Sequence, residues 1–388
     1  MRRFWLVWNE GMRARNVDYT VALVPQRGLL SNFEAFAPDD DPWIGNYRFS
    51  QSIAHYYRHI DTWPASGPRL VDLWPLLSAY GEEAYHRRDH HWTQGAAAVA
   101  AEYIAAELAD AAPRQVLPIK NITVRAGDEI NLSEAYQTVA LRECGVRYVA
   151  NRGLAYRSIG AGNSGFAKGT YVSLVGNSFI NQRQGFEAHM RAALGTNVEE
   201  HHLSGHHMHW SMFNLVHNQM NVEDRAPAMA IQVLGPWEWG FDEIQGSHYE
   251  LIAALNGACT ANNAVASIAP ILSENGTYVW QISNLPRGDF YGQVSFRQRL
   301  RIEDKNLTFQ RDNKPGDRAF EYVHLRNGTT GRALAFTRSS IQPNHAMHTT
   351  LYLPLFSNKN ESWEWLDQKR NPIGPDDRMY ICRARFAL

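Results

Sequence analysis

The sequence predicts an α/β domain over residues 1–260 followed by an all-β sandwich over 261–388. Three observations carry this. Up to about Asn262, buried-strand patterns alternate with helical ones; beyond it, short β-rich segments alternate with Gly, Asn, Asp and Pro turns; and 388 residues with 44% hydrophobic content are ample for two cores.

A helix over Arg3 to Arg15 opens the chain, followed by the apolar strand Tyr19 to Val24, which Pro25 stops. After the Asp39-Asp40-Asp41-Pro42 loop comes a polar, aromatic helix near Phe49 to Asp61. The run Arg69 to Pro75 reads as a second buried strand ending in a turn. Thr93 is the expected N-cap of a helix over Ala96 to Leu108, whose Val99, Ala100, Tyr103, Ile104, Glu107 and Leu108 share one side. A strand over Ile119 to Arg125 and a helix over Glu134 to Glu143 are expected next. The buried strand Tyr171 to Val175 runs into Gly176-Asn177-Ser178, with a helix through Phe186, Met190 and Leu194 beyond. Strand Ala230 to Leu234, the Pro236-Trp237-Glu238-Trp239 segment and a helix over His248 to Asn256 complete the first part. The β-rich part is represented by Tyr278 to Ile282, Gln293 to Ile302, Arg332 to Phe336 and Thr349 to Leu353.

Charge and composition bound the function. The net charge is −1 and the pI about 7.0, so no global field recruits nucleic acid or a membrane surface. From Arg287 onward Lys and Arg exceed Asp and Glu by six, which makes the β-rich part the locally basic one. The first apolar run, Phe4 to Trp8, is far too short to span a bilayer, and no signal peptide follows it. Twelve Trp, 17 Tyr and 16 Phe suit sugar contact and core packing alike. Cys144, Cys259 and Cys382 lack the close spacing of a zinc ribbon or a redox pair, and as an odd set they leave one thiol without an internal partner. Buried cysteines acting as small hydrophobes account for them equally well.

Two further runs suggest cofactors and fail on context. The glycine-rich Ser158 to Gly165 precedes a strand instead of following one, so it reads as a loop and not a dinucleotide fingerprint. The histidine-rich stretch Glu199 to His209 has no H-E-x-x-H and no usual zinc spacing, so it reads as an exposed loop. The expectation is no cofactor and no metal.

The chemistry concentrates in two places. Asp89 and His91 lie two residues apart, so on extended chain both point the same way and Asp89 can accept the Nδ1 hydrogen of His91, leaving Nε2 as a base. Ser178 follows a buried strand, where a turn into a helix would present its hydroxyl and supply backbone N–H groups for an oxyanion. Asp89, His91 and Ser178 therefore outline a triad, although a Gly-x-Ser turn and a structural Asp–His pair are each common without catalysis.

The run Asp89-His90-His91-Trp92-Thr93-Gln94-Gly95 resembles the D-x-H-W motif of the AlgX/AlgJ family of SGNH-hydrolase-like polysaccharide O-acetyltransferases, and the segment ending in Ser178 resembles that family's nucleophile turn. Acid and base precede the serine in the same order. Val24-Pro25, Val71-Asp72-Leu73 and Trp237-Glu238 fall where the family has similar elements. AlgX-type members, which are alginate O-acetyltransferases, also carry a C-terminal β-sandwich carbohydrate-binding module that AlgJ-type members lack. The resemblance implies an SGNH-like catalytic domain, an acetyl-Ser178 intermediate, His91 as base then acid, Asp89 orienting it, and a mannuronate hydroxyl of an alginate-like acidic polysaccharide as acceptor. The donor stays open. It further implies a Cys259–Cys382 disulfide, a periplasmic setting with other polysaccharide-export proteins nearby, and an upstream cysteine, leader and first catalytic segment that this chain does not contain. Asn177 departs from the family's usual small residue.

Three functions fit these residues: acetyl transfer to an acidic exopolysaccharide, deacetylation by the same triad with water as acceptor, and non-catalytic polysaccharide binding within an export assembly.

Overall fold

The computed structural model describes residues 2–25, 58, 60–86, 91–109, 118–119, 121–132, 152–160, 166–202, 208–235, 245–298, 319–327, 333–340, 347–355, 360–365 and 373–387. The chain forms two compact units, Met1–Gly240 and Phe241–Leu388.

In the first unit, helix α1 (Arg2–Ala14) leads into β1 (Asp18–Leu23), β2 (Arg69–Asp72), α2 (Trp74–Tyr80) and α3 (Gln94–Glu107). The hairpin β3 (Thr123–Asn131) and β4 (Arg152–Ile159) precedes β5 (Val172–Gly176), α4 (Phe186–Leu194), β6 (Val198–His202), α5 (Met208–Phe213) with its π-helical continuation Asn214–Val222, and β7 (Met229–Leu234). The sheet order is β2-β1-β7-β5-β6, and every pairing is parallel.

Parallel strands must be covered on both faces, and the sequence supplies apolar residues on both. On one face Ala22, Leu174, Ile231 and Val233 pack with Ala100, Ala101 and Ile104 of α3 and Met190 of α4. The run of alanines in α3 lets its backbone approach the sheet closely. On the other face Trp8 of α1 sits edge-on to Tyr19, with ring centroids 5.5 Å apart. The Tyr19 hydroxyl donates to Gln232 at 2.9 Å, and the Ser173 hydroxyl bonds Gln219 of the π segment at 3.1 Å. These four buried polar side chains are thus paired with one another. The five strands end at one edge, where open α/β sheets place their sites.

Several elements differ from the sequence reading. Trp74–Tyr80 is a helix, not a turn, because Pro75 stands in its first turn, where the missing N–H has no intrahelical partner to lose. The stretch Val198–His202 is the edge strand of the parallel sheet, not a loop. Arg152–Ile159, part of which was read as loop, pairs with Thr123–Asn131. The helices expected near Phe49 to Asp61 and over Glu134 to Glu143, the Ser-Gly end of the glycine-rich run, and Trp237-Glu238 lie outside the described residues, apart from the end of the first at Arg58 and Ile60-Asp61.

The second unit opens with α6 (Gln245–Leu255). It continues with β8 (Ala266–Ile268), β9 (Ile271–Leu272), β10 (Tyr278–Ser283), β11 (Phe290–Gln298), β12 (Ala319–Asn327), β13 (Ala333–Ser340), β14 (Met347–Pro354), β15 (Asn360–Trp365) and β16 (Met379–Arg383). Two antiparallel sheets, β13-β12-β15-β10-β9 and β14-β11-β16-β8, enclose Trp280 and Ile282 from one and Val294, Leu351, Leu353, Met379 and Ile381 from the other. This is the expected β-sandwich. Helix α6 belongs to it: Glu250 accepts the backbone N–H of Tyr352 at 3.2 Å. Cys259 and Cys382 form a disulfide, with Cα atoms 5.7 Å apart. No described helix is long and apolar enough to cross a membrane.

Candidate active site

His91 and Ser178 meet at the carboxyl edge of the parallel sheet. The chain on either side of His91 is closed by an antiparallel bridge between Tyr85 and Trp92, with Thr93 N–H on the Ala84 carbonyl at 2.9 Å and His86 N–H on the His91 carbonyl at 3.1 Å. His91 is 4% exposed, and its Nε2 lies 2.6 Å from Ser178 Oγ, the contact a general base needs with its hydroxyl. The structure thus brings together two of the three residues singled out. Asp89 lies outside the described residues.

The residues after His91 each fix part of the site. Trp92 donates its indole N–H to the Phe179 carbonyl at 2.9 Å, stacks on Phe186 with centroids 5.0 Å apart and sits edge-on to Phe179. Thr93 accepts the Ala96 N–H and so starts α3. Gln94 accepts the Leu154 N–H at 3.0 Å and donates to the carbonyls of Leu154 and Arg183, each at 2.8 Å. One amide thereby fastens the β3–β4 hairpin to the loop that follows Ser178.

Removing only the Trp92 bond is informative. Trp92→Phe strands a buried carbonyl, which costs about 1–3 kcal/mol, and loosens the turn holding Ser178. The expected result is a lowered melting temperature together with a roughly tenfold fall in turnover; unchanged turnover on a less stable fold would confine Trp92 to packing.

Ser178 begins a three-residue 3-10 turn, Ser178–Ile180, which gives way to a second turn, Gln182–Gln184, before α4 starts. The expected helix N-terminus at the serine is therefore absent, along with its dipole. Moreover, the Phe179 N–H is taken by Asn177 Oδ1 at 3.0 Å, so the first N–H after the serine braces the turn. Asn177 caps this turn itself. Its amide fits only because residue 235 is glycine: a Cβ there would lie 2.9 Å from Asn177 Nδ2. The Ser211 hydroxyl, donated to the Gly176 carbonyl, secures the turn from the other side. Gly185, which precedes α4, has φ +73° and lies so close to Tyr156 that a Cβ would come within 2.8 Å of its ring. Sequence reasoning missed Gln94, Asn177 and Ser211; of these only Asn177 had a readable signal, an Asx residue two before the N–H it accepts.

The histidine-rich stretch is split by strand alternation. Glu199 holds Arg225 in two bonds, at 2.5 and 2.9 Å, and raises its already high pKa. On the same side His201 Nδ1 accepts from the Asn214 amide at 3.0 Å, and burial lowers its pKa. Glu200 pairs with His202 on the side of α4. Among the described residues, no group of three or more His, Cys, Asp or Glu is arranged to hold a metal.

Glu187 in α4 titrates at about 7, pushed up first by burial and then by Glu200, with Arg191 opposing. A carboxyl raised in the folded state stabilises most where it is protonated, so its contribution is complete below the unfolded value near 4.5 and is lost as pH rises towards 7. Glu187→Gln should therefore be more stable than the parent above pH 7, by about 2–3 kcal/mol at most, and no different at pH 4. Urea midpoints at the two pH values check this; an equal offset at both would place the effect outside ionisation.

A parallel sheet covered on both faces, with a histidine in hydrogen-bond contact with a serine at its carboxyl edge, defines the serine-hydrolase-like α/β class. Residues 5–233 match the family described as "SGNH hydrolase-like domain, acetyltransferase AlgX". The chain belongs to this family. Alginate biosynthesis protein AlgX of Pseudomonas putida is 22% identical over 205 residues, 49% of this chain and 41% of its own length. The AlgX of Pseudomonas aeruginosa is 22% identical over 266 residues, 66% of this chain and 54% of its own, so this chain spans about half of these relatives. Among solved structures, Pseudomonas aeruginosa AlgX superposes with a TM-score of 0.69 at 16% identity, covering 98% of this chain and 88% of its own. The O-acetyltransferase domain of Pseudomonas putida AlgJ gives a TM-score of 0.50 at 16% identity over 62% of this chain and 82% of its own. These likenesses speak for the fold.

Proposed function

We propose that the protein transfers an acetyl group through acetyl-Ser178 onto hydroxyls of an acidic exopolysaccharide, with mannuronate residues of an alginate-like polymer as acceptor. The contact of His91 Nε2 with Ser178 Oγ at 2.6 Å carries the reading. As Ser178 Oγ attacks the donor's acetyl carbonyl, His91 takes the hydroxyl proton; the tetrahedral intermediate collapses, and the leaving group departs with that proton. A sugar hydroxyl then gives its proton to His91 and attacks acetyl-Ser178, and the proton returns to the serine as the acetylated sugar leaves. Asp89 is assigned to hold the imidazole from Nδ1.

The β-sandwich unit is assigned as a polysaccharide-binding module, and other polysaccharide-export proteins are the proposed partners. The Cys259–Cys382 disulfide supports a periplasmic setting, because disulfides persist in oxidising compartments.

Acceptor choice separates transfer from hydrolysis. With an activated acetyl ester and a mannuronate oligomer, the proposal expects proton NMR to show O-acetylated sugar as the main product. Release of the acetyl group as free acetate at a rate indifferent to oligomer would make the protein an esterase.

A further inference from the structure

The β3–β4 hairpin opposes two arginines. Arg125 and Arg157 are directly paired in its register, and both are exposed. Strand alternation puts them on one face with Thr123 and Ile159, and Tyr156 and Ser158 on the other. The second face is the covered one: Tyr156 packs on Gly185 and on the His189 ring, and Ser158 Oγ accepts from Arg191 of α4 at 3.3 Å. The arginine face is turned away from α4. Among the described residues, the hairpin's remaining charges are Arg152, which pairs with Glu129 at 3.1 Å, and Asp128, which is exposed in the bulge between Ala126 and Glu129. Among the described residues no carboxylate pairs with Arg125 or Arg157.

Like charges placed directly across a ladder repel, so the fold gains nothing from this pair. Opposed side chains start only about 5 Å apart at Cβ, close enough for two guanidinium forks to converge on one carboxylate. The Gln94 amide ties Leu154 of this hairpin to Arg183, five residues beyond Ser178, so whatever the hairpin holds is kept in fixed relation to the nucleophile loop.

We infer that the outer face of the β3–β4 hairpin binds the acidic polymer, with Arg125 and Arg157 clamping the carboxylate of one uronate residue. This rests on the acidic-polysaccharide acceptor proposed above.

The test is calorimetric titration of the full chain with an oligomannuronate and, in parallel, with a neutral mannan oligomer. The parent should bind the uronate oligomer in preference, and Arg125→Gln/Arg157→Gln should bind it at least tenfold more weakly, with a shallower dependence on salt. Arg157→Glu guards against misfolding: it faces Arg125 across the ladder with an opposite charge, so it should melt no lower than the parent while losing uronate binding. Equal affinity of the parent and the double variant, no preference of the parent for the uronate oligomer, or no binding by the parent would each overturn the inference. Acetylation of Ser178 by an activated ester, followed on the parent alone, reports the chemical reading separately. A parent that binds uronate through these arginines but forms no adduct would keep the clamp and remove acetyl transfer.

Discussion

Ser178→Ala and His91→Ala should each lower acetyl turnover by about four orders of magnitude, and the double variant should be no worse than the poorer single one. The non-additivity is the point. Ser178 is a poor nucleophile until a base receives its proton, and His91, with Nε2 at 2.6 Å, is placed to receive it; once either is gone the other has nothing to act on. Steady-state rates with an activated acetyl ester check this. Additive losses, or a His91→Ala variant within tenfold of the parent, would mean that the contact is structural. His91→Gln provides a further control, since it keeps a polar side chain beside Ser178 without a titratable base.

The second large effect concerns the β-sandwich. Cys259 follows α6 and Cys382 lies in β16, and their bond closes a loop with a sequence separation of 123 residues. Such a cross-link removes much of the freedom of the unfolded segment, and losing it costs about 2–4 kcal/mol. Cys259→Ala/Cys382→Ala should therefore be less stable by that free energy in urea titrations, with a lowered midpoint, and the parent in reductant should match it. The transition to watch is that of the second unit, followed by Trp280, which is fully buried between the two sheets. If reduction shifts the parent but not the double variant, the bond is the cause; an equal shift in both would point to another effect of the reductant. The Ser178 acylation rate is a separate readout, because the disulfide lies wholly within the second unit.

What could be read in the sequence followed from local pattern. The strands at Asp18–Leu23, Val172–Gly176 and Met229–Leu234 are mostly apolar runs interrupted by Thr20, Ser173 and Gln232, as buried parallel strands often are, and Thr93 is a cap at the position where its hydroxyl meets the Ala96 N–H. The Asp-x-His-Trp run and the Gly-Asn-Ser turn could be singled out from local pattern, and His91 Nε2 lies 2.6 Å from Ser178 Oγ. The edge strand Val198–His202 was not legible, because two of its polar side chains are held by partners distant in sequence: Arg225 and Gln219 for Glu199, and Asn214 for His201. Periodicity cannot show such pairs. The hairpin was read only in part, as a strand over Ile119 to Arg125 that overlaps Thr123–Asn131, for a different reason. It is exposed along most of its length, so no alternation of apolar and polar residues marks it. At the nucleophile, a serine after a buried strand suggested a helix start, but the Asn177 side chain takes the N–H that a helix would have offered. The turn is therefore braced by a side chain, and its donors for a developing oxyanion must be sought elsewhere than at a long helix N-terminus.

The most direct test is intact-mass spectrometry after brief exposure to an activated acetyl ester, with peptide mapping of any adduct. The account predicts one acetyl group, on Ser178, absent from Ser178→Ala, slow to form in His91→Ala, and lost faster when mannuronate oligomer is present. A folded parent that gains no acetyl group, or gains it on another residue while Ser178→Ala retains full turnover, would contradict it.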